Sequence, residues 1–348
     1  MANDTIRVGY IGAGANTRKY HIPLMAKQPG VELVTVANRS KESSEKVAKE
    51  FGIARVHADW REVVTAPDVD AVCIGTWPYT HAEMTIAALD AGKHVLCEAR
   101  MAMNATEGRA MLAASRRHPN LIAQIVPSPF TLEVDPMLTK LVAERAVGDV
   151  LAVELYSSQA GRFGDKDAPM HWRQDVRLSG NNILNMGIWY EAMMRWLGSA
   201  TRVMAMGKIV VPQRRDESGV MRAVQVPDHV EILANFGVGP VARMRFSGVA
   251  TLAPSNEAWI FGSDGTIRLE ADAKRVSVGK RGDSALKEVD IPAAQRIGWR
   301  VEEAFVNAIR GKEKVTRTSF EDGVRYMEFT DAVAKSMASG QAVDVKEL

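Results

Sequence analysis

Cysteine is almost missing from this chain: 348 residues contain two, Cys73 and Cys97. Both sit in short apolar runs, which suits buried reduced thiols and argues against a disulfide framework or a cysteine-built metal site. An excess of one charge is missing too. The 44 basic and 42 acidic residues leave a net charge of +2 and are interspersed, so no footprint for nucleic acid or an acidic membrane is present. No apolar stretch approaches the ~20 residues of a membrane span. The opening Met1-Ala-Asn-Asp-Thr5 leads straight into a strand without the apolar core of a leader, and the cytoplasm is the expected compartment. With 46% hydrophobic and 25% charged residues the balance is that of an ordinary globular protein. The length calls for two domains.

What is present starts at Ile6. Ile6-Arg-Val-Gly-Tyr-Ile-Gly12-Ala-Gly14-Ala-Asn-Thr17 reads as a strand and a tight turn that opens into a helix over Arg18 to Gln28. Gly12 permits the sharp turn, and Gly14 lets the backbone approach a pyrophosphate resting on the helix start. Ala15 and Asn16 complete that candidate phosphate site. Thr17 stands where a third glycine or alanine is usual, so the fingerprint is incomplete. Any strand-turn-helix with glycines would look similar in isolation.

The following units sharpen the reading. Val31 to Ala37 is a second strand, and Lys41 to Phe51 is a helix with Val47, Ala48 and Phe51 on one side. The residue ending such a second strand selects the cofactor, because a carboxylate there binds the adenosine ribose 2′-hydroxyl. Here the segment is Ala37-Asn38-Arg39-Ser40-Lys41, with no carboxylate. Arg39 and Ser40 could hold a 2′-phosphate instead, which favours NADP over NAD; the alternative is that Arg39 and Lys41 are solvated loop charges. Strands at Asp70 to Gly75, Lys93 to Glu98 and Leu121 to Val126 alternate with helices at Thr80 to Ala91 and Ala105 to Arg117. This spacing predicts a doubly wound parallel α/β sheet. Ligands bind beyond the carboxyl ends of such strands, which groups Gly12, Asn38, Thr76, Trp77, Glu98 and Gln124 around one crevice.

The texture changes near Pro127. A helix over Leu132 to Arg145, a strand over Val150 to Ser157 and a helix over Asn182 to Leu197 precede six closely spaced strands: Arg202 to Val210, His229 to Phe236, Ala242 to Ser247, Ala258 to Phe261, Thr266 to Leu269 and Arg275 to Val278. Helices over Arg300 to Ile309 and Phe320 to Ser336 end the chain. The expected organisation is a Rossmann domain over 1–126 and an α+β domain with a large, mostly antiparallel sheet over 127–348. One face of that sheet is expected to mediate a homo-oligomer.

Several local patterns carry a resemblance across essentially the whole chain: Gly9-Tyr-Ile-Gly-Ala-Gly14 followed by His21 and Pro23, Thr76 to His81, and Cys97-Glu98. His171-Trp172-Arg173 leading to Ser179-Gly180, Gly262-Ser-Asp-Gly-Thr266 and Ser336-Met-Ala-Ser-Gly340 continue it. With these the sequence resembles the Gfo/Idh/MocA family, which contains glucose-fructose oxidoreductase and inositol dehydrogenase. The resemblance implies Thr76, Trp77, His81 and Glu98 on the cofactor side and Trp172, Arg173 and Asn182 on the substrate side. Members that oxidise sugars and polyols carry Glu-Lys-Pro after the fifth strand and Asp-x-x-x-His on a helix of the second domain. This chain has Glu98-Ala99-Arg100 and Asn185-Met-Gly-Ile-Trp189.

A positioned general acid or base contributes ~10²- to 10⁴-fold in rate, so these departures bear on the chemistry. Arg100 stays charged and cannot donate a proton, although it could polarise a carbonyl or clamp an anion. Asn185 and Trp189, four apart, share a face if helical, with Asn182 one turn earlier, and an indole flanked by amides could hold a sugar ring. Alternatively, Trp189 fills core volume. His171 is the nearest titratable histidine by family layout, followed by Tyr190, Tyr156 and Asp175. The stretch Gln124-Ile-Val-Pro-Ser-Pro-Phe130 lacks the arginine often found there. The expected function is an NAD(P)-binding oxidoreductase-like enzyme acting on a sugar, polyol or keto-sugar. A non-redox lyase, hydratase or isomerase using the same pocket, or a non-catalytic sugar or nucleotide sensor, are the alternatives.

Overall fold

The computed structural model describes residues 5–159, 165–237, 239–253 and 255–345. Met1 to Asp4, on which the expectation of no leader rested, lie outside the described residues. The chain forms two compact units, Met1–Pro127 with Arg300–Val324, and Ser128–Trp299 with Arg325–Leu348.

The first unit is built on strands β1 (Ile6–Ile11), β2 (Val31–Ala37), β3 (Arg55–His57), β4 (Ala71–Ile74), β5 (His94–Cys97) and β6 (Ala123–Ile125), ordered β3-β2-β1-β4-β5-β6. Every pairing is parallel. Helices α2 (Lys41–Phe51), α3 (Trp60–Thr65), α4 (Pro78–Asp90) and α5 (Ala105–Arg117) follow β2, β3, β4 and β5. Val8, Tyr10, Val72, Ile74, Val95 and Leu96 have essentially no exposed surface. Burial on both faces explains why these strands read as unbroken apolar runs rather than alternating ones. β3 and α3 had no such run to announce them, although Asp59 and Glu62 form the capping box that starts α3.

The helix after β1 departs from the expected Arg18 to Gln28. A π-helical turn, Thr17–His21, precedes a short α1 (Ile22–Met25) in which Pro23 occupies the first turn. Proline supplies no N–H and its ring crowds the carbonyl four residues back, so the turn before it widens: the Ile22 N–H bonds the Thr17 carbonyl, five residues back.

In the second unit, α6 (Asp135–Ala143), β7 (Val150–Ser158), α7 (Val176–Ser179) and α8 (Met186–Leu197) precede the strands β8 (Arg202–Lys208) to β16 (Lys287–Glu288). β9 (Gln213–Arg215) and β10 (Met221–Ala223) form a separate hairpin. The other strands are β11 (His229–Asn235), β12 (Val241–Ser247), β13 (Asn256–Gly262), β14 (Gly265–Glu270) and β15 (Arg275–Lys280). With β17 (Val343–Asp344) they form a nine-stranded sheet, β16-β15-β14-β13-β7-β12-β11-β8-β17, antiparallel except between β7 and β12. Side chains alternate along it. Val153, Leu155, Ile232, Met244, Phe246 and Ile260 are buried, while Met204, Met206, Leu233 and Val241 are exposed.

α8 begins at Met186 rather than Asn182 because Leu184 adopts φ +43°, which no right-handed helix accommodates. Asn185 is therefore the cap residue of α8, and Asn182 lies outside it.

Residues 300–324 were expected with the second domain. Instead α9 (Val301–Ile309) packs on α1, and Thr318 exchanges two backbone hydrogen bonds with Ile125 on the edge strand β6. An exposed strand edge and a half-covered helix both need a partner, and this returning segment supplies it. α10 (Phe320–Ser339) then carries the chain to β17.

Candidate functional site

In the first unit the glycine turn is held from two sides. Gly12 has φ +79°, and a Cβ there would lie 2.4 Å from the Thr76 methyl and 2.8 Å from its backbone nitrogen. At Gly14 a Cβ would meet only the Gly75 carbonyl oxygen, at 3.7 Å, so its outer side is open to a ligand. The close packing normally given by a third glycine comes from elsewhere: a Cβ on Gly75 would fall 2.0 Å from the Thr17 hydroxyl. The Ala13 N–H donates to Asn38 Oδ1 (2.7 Å), and Asn38 Nδ2 donates to the Ser43 hydroxyl (3.0 Å). Asn38 thereby ties the turn to the start of α2. The Ser40 hydroxyl accepts the Ser43 N–H as the cap of α2. Arg39 is exposed, with its guanidinium 5.7 Å from the centre of the Trp77 ring.

A nicotinamide dinucleotide fits this set. The open cradle at Gly14 can take phosphate, with Ala15 and Asn16 beside it, and Arg39 and Trp77 stand at the ends of β2 and β4 where the adenosine end would lie.

His81, expected on the cofactor side, is a strut instead. It is fully buried, and its Nδ1 and Nε2 face the carbonyl oxygens of Arg100 (2.9 Å) and Thr76 (3.1 Å), joining the turns after β4 and β5. Burial pushes its pKa down against the pull of those carbonyls. Thr76 shares its hydroxyl with Thr80. Arg100 is 4% exposed, so a clamp on substrate at this position would require a group brought close to the buried turn.

Glu98, at the end of β5, belongs to a buried charged chain. Its Oε1 accepts from Asn16 Nδ2 and from His21 Nε2 (2.9 Å), and its Oε2 from the Ala99 N–H (3.2 Å). His21 Nδ1 donates to Glu302 Oε1 on α9 (2.5 Å). Burial alone would lower the His21 pKa, but hydrogen bonds and charge from Glu302 and Glu98 reverse this and hold it at about 9. Glu98 is held below the ordinary carboxylate range, its burial outweighed by His21 and Asn16. Glu302 was not singled out in the sequence. It stands 281 residues from His21 and reads there as an ordinary acidic residue in a first helical turn.

The second unit positions the other candidates. Asn185 Nδ2 donates to the Ser157 hydroxyl (2.6 Å), which donates to Asn256 Oδ1 (2.7 Å); Trp189 Nε1 donates to the same oxygen (3.2 Å). Trp189 has no exposed surface and stacks on Phe130, ring centres 4.9 Å apart. It fills the core and offers no face to a ring. Asn185 Oδ1, by contrast, is buried with no hydrogen-bond partner among the described residues. Ser157 and Asn256, which organise this chain, looked like ordinary strand-end polar residues.

Tyr190 is corrected as well. Its phenol is buried against Phe329 (ring centres 3.8 Å apart), accepts the Ala200 N–H (2.7 Å), and is pushed up to about 12, chiefly by burial. It is a core residue, remote from proton transfer at neutral pH. His171 Nδ1 accepts the Arg173 N–H (3.2 Å) as a helix cap, which leaves its proton on Nε2. Arg173 lies over the Trp172 ring at 4.1 Å. Asn182 Nδ2 donates to the Ser179 carbonyl (2.6 Å). Asp175 caps α7 and pairs with Arg177, which holds its carboxyl below its usual range. The Tyr156 phenol donates to Glu154. Cys73 and Cys97 are buried and unpaired.

A parallel sheet ordered 3-2-1-4-5-6 with a glycine turn after its first strand defines the first unit as a Rossmann dinucleotide-binding fold. The family model described as "Oxidoreductase family, NAD-binding Rossmann fold" matches residues 6–125, and that of the "GFO/IDH/MocA C-terminal domain" matches 137–268. The chain belongs to the Gfo/Idh/MocA family. It is 28% identical over 258 residues to the levoglucosan dehydrogenase of Pseudarthrobacter phenanthrenivorans, spanning 68% of this chain and 66% of that enzyme. It is also 28% identical to the 1,5-anhydro-D-fructose reductase of Ensifer adhaerens, over 98% of both. A solved levoglucosan dehydrogenase in complex with NADH and L-sorbose superposes with a TM-score of 0.87 at 25% identity, covering 99% of each chain.

Proposed function

We propose that this chain is an NAD(P)-dependent oxidoreductase of the cytoplasm that acts on a sugar, polyol or keto-sugar. In this reading NADP is taken in preference to NAD, and proton transfer does not use the family's lysine and histidine. The observation that carries the proposal is the Gly12–Asn16 turn clamped by Asn38, with no carboxylate at the end of β2 and Arg39 exposed beside it. The names of the relatives, a levoglucosan dehydrogenase and an anhydrofructose reductase, support a sugar-like substrate. When bound, the nicotinamide supplies or accepts hydride.

The chain's own residues divide the remaining work. Gly12, Gly14, Ala15 and Asn16 receive the pyrophosphate, and Arg39 with Ser40 receives the 2′-phosphate. Asn185 Oδ1, buried and without a partner among the described residues, is suited to accept a substrate hydroxyl, with Asn182, Trp172 and Arg173 lining the same unit. His171 is the candidate proton-transfer residue of the second unit, and Arg100 is the candidate cation of the first. Calorimetric titration with NADPH and NADH, followed by reduced-nicotinamide absorbance across a panel of sugars and keto-sugars, tests the proposal. Saturable binding with NADPH tighter, and turnover of at least one panel member, is the expected result. Binding without turnover across a broad panel overturns the redox assignment.

A second reading is favoured by one specific observation: Ala99, Asn185 and Trp189 replace all three ionisable groups, and Tyr190 is sealed in the core. A lyase, hydratase or isomerase in the same pocket would convert substrate with no net change in that absorbance.

A further inference from the structure

The Glu98–His21–Glu302 chain meets the phosphate site only through Asn16, yet it is built with care: three ionisable groups, buried or nearly so, joined end to end by hydrogen bonds. His21 has no exposed side-chain surface, Glu302 has 2%, and Glu98 has 12%. Only the Glu98 end reaches the carboxyl edge of the sheet. With the imidazole protonated, two carboxylates and one imidazolium carry a net charge of −1. Family members that oxidise sugars have a lysine directly after this glutamate; here that position is the uncharged Ala99.

Sheet order places that charge. The pyrophosphate site is at the turn after β1, and the adenosine ribose site is at the end of β2. Because the strands run β2-β1-β4-β5, the second nucleoside lies on the β4–β5 side, where Glu98 ends β5. The nicotinamide ring is cationic when oxidised and neutral when reduced. A fixed negative charge in a site with little water distinguishes the two forms by Coulomb attraction alone.

We propose that Glu98, pinned through His21 to Glu302, is a specificity residue for the redox state of the cofactor, favouring the oxidised form. The inference rests on the reading that the glycine turn holds a nicotinamide dinucleotide. It predicts that the oxidised dinucleotide is held more tightly than the reduced one.

The test is calorimetric binding of NADP+, NADPH, NAD+ and NADH to the full-length protein and to two isosteric variants. Glu98→Gln should weaken the oxidised forms ~10-fold while leaving the reduced forms within about twofold, as expected for removing one charge at short range. Glu302→Gln removes the same unit of charge from farther back and should shift the ratio in the same direction by a smaller factor, roughly threefold. Arg100 is common to all three proteins and cancels in the comparison. A purely structural role for the chain would weaken both redox forms alike, and that result, or no effect on either form, overturns the proposal. Wild-type protein that binds none of the four dinucleotides overturns instead the reading beneath it.

Discussion

His21 is the residue on which pH acts most directly. Folded, it binds its proton with a pKa of about 9 against an ordinary 6.5. Its contribution to stability is therefore fully present below pH 6.5 and is lost as pH rises through 9, a change on the order of 3 kcal/mol. Denaturant unfolding at pH 6 and pH 9.5 should show that loss, and Glu302→Gln should flatten it. Trp189 governs a different prediction. Restoring the family pattern with Ala99→Lys, Asn185→Asp and Trp189→His would empty the space beside Phe130 and weaken the bond to Asn256. Large-to-small changes of this kind cost about 3–5 kcal/mol. The triple variant should unfold at markedly lower denaturant without gaining dehydrogenase turnover; a stable, active triple variant would mean the indole is dispensable. Tyr190→Phe, which leaves the buried Ala200 N–H without its acceptor, should cost ~1–3 kcal/mol and leave dinucleotide affinity unchanged.

At the scale of elements, the turn between β1 and the π-helical segment is tightly constrained. Gly12→Ala would put a Cβ onto Thr76 at a backbone angle that side chains avoid, so titration should show dinucleotide binding lost in both redox forms. The end of β2 is more permissive. Arg39 is exposed and caps nothing, whereas Asn38 and Ser40 are committed to the turn and to α2. Arg39→Ala should thus weaken NADPH by about 10-fold or more, from the loss of a charge-assisted bond, with NADH little changed. Equal affinities for the two cofactors in the unaltered protein would count against the 2′-phosphate assignment.

At the scale of the molecule, the nine-stranded sheet buries one face and leaves Met204, Met206, Leu233 and Val241 exposed on strands β8, β11 and β12, with Met206 at 78% and Leu233 at 51%. We propose that this face joins copies of the chain. Sedimentation should show a homo-oligomer, and Leu233→Lys should shift it toward monomer; a monomeric wild type at micromolar concentration would refute the proposal. The parallel strands, α2, α5 and the alternating strands of the second half were legible in the sequence because burial leaves a period or an unbroken apolar run. Gly12, Gly14 and Glu98 were legible because local turn chemistry and strand ends are written in adjacent residues. The sequence by itself also determined the absence of the lysine, aspartate and histidine, since an absence needs no fold to be seen. Only the tertiary structure decided that Trp189 and Tyr190 lie in a core, that His81 is a strut, that residues 300–324 return to the first unit, and that Glu302 reaches His21. Those outcomes depend on contacts between residues far apart in the chain, and neither periodicity nor spacing carries that information.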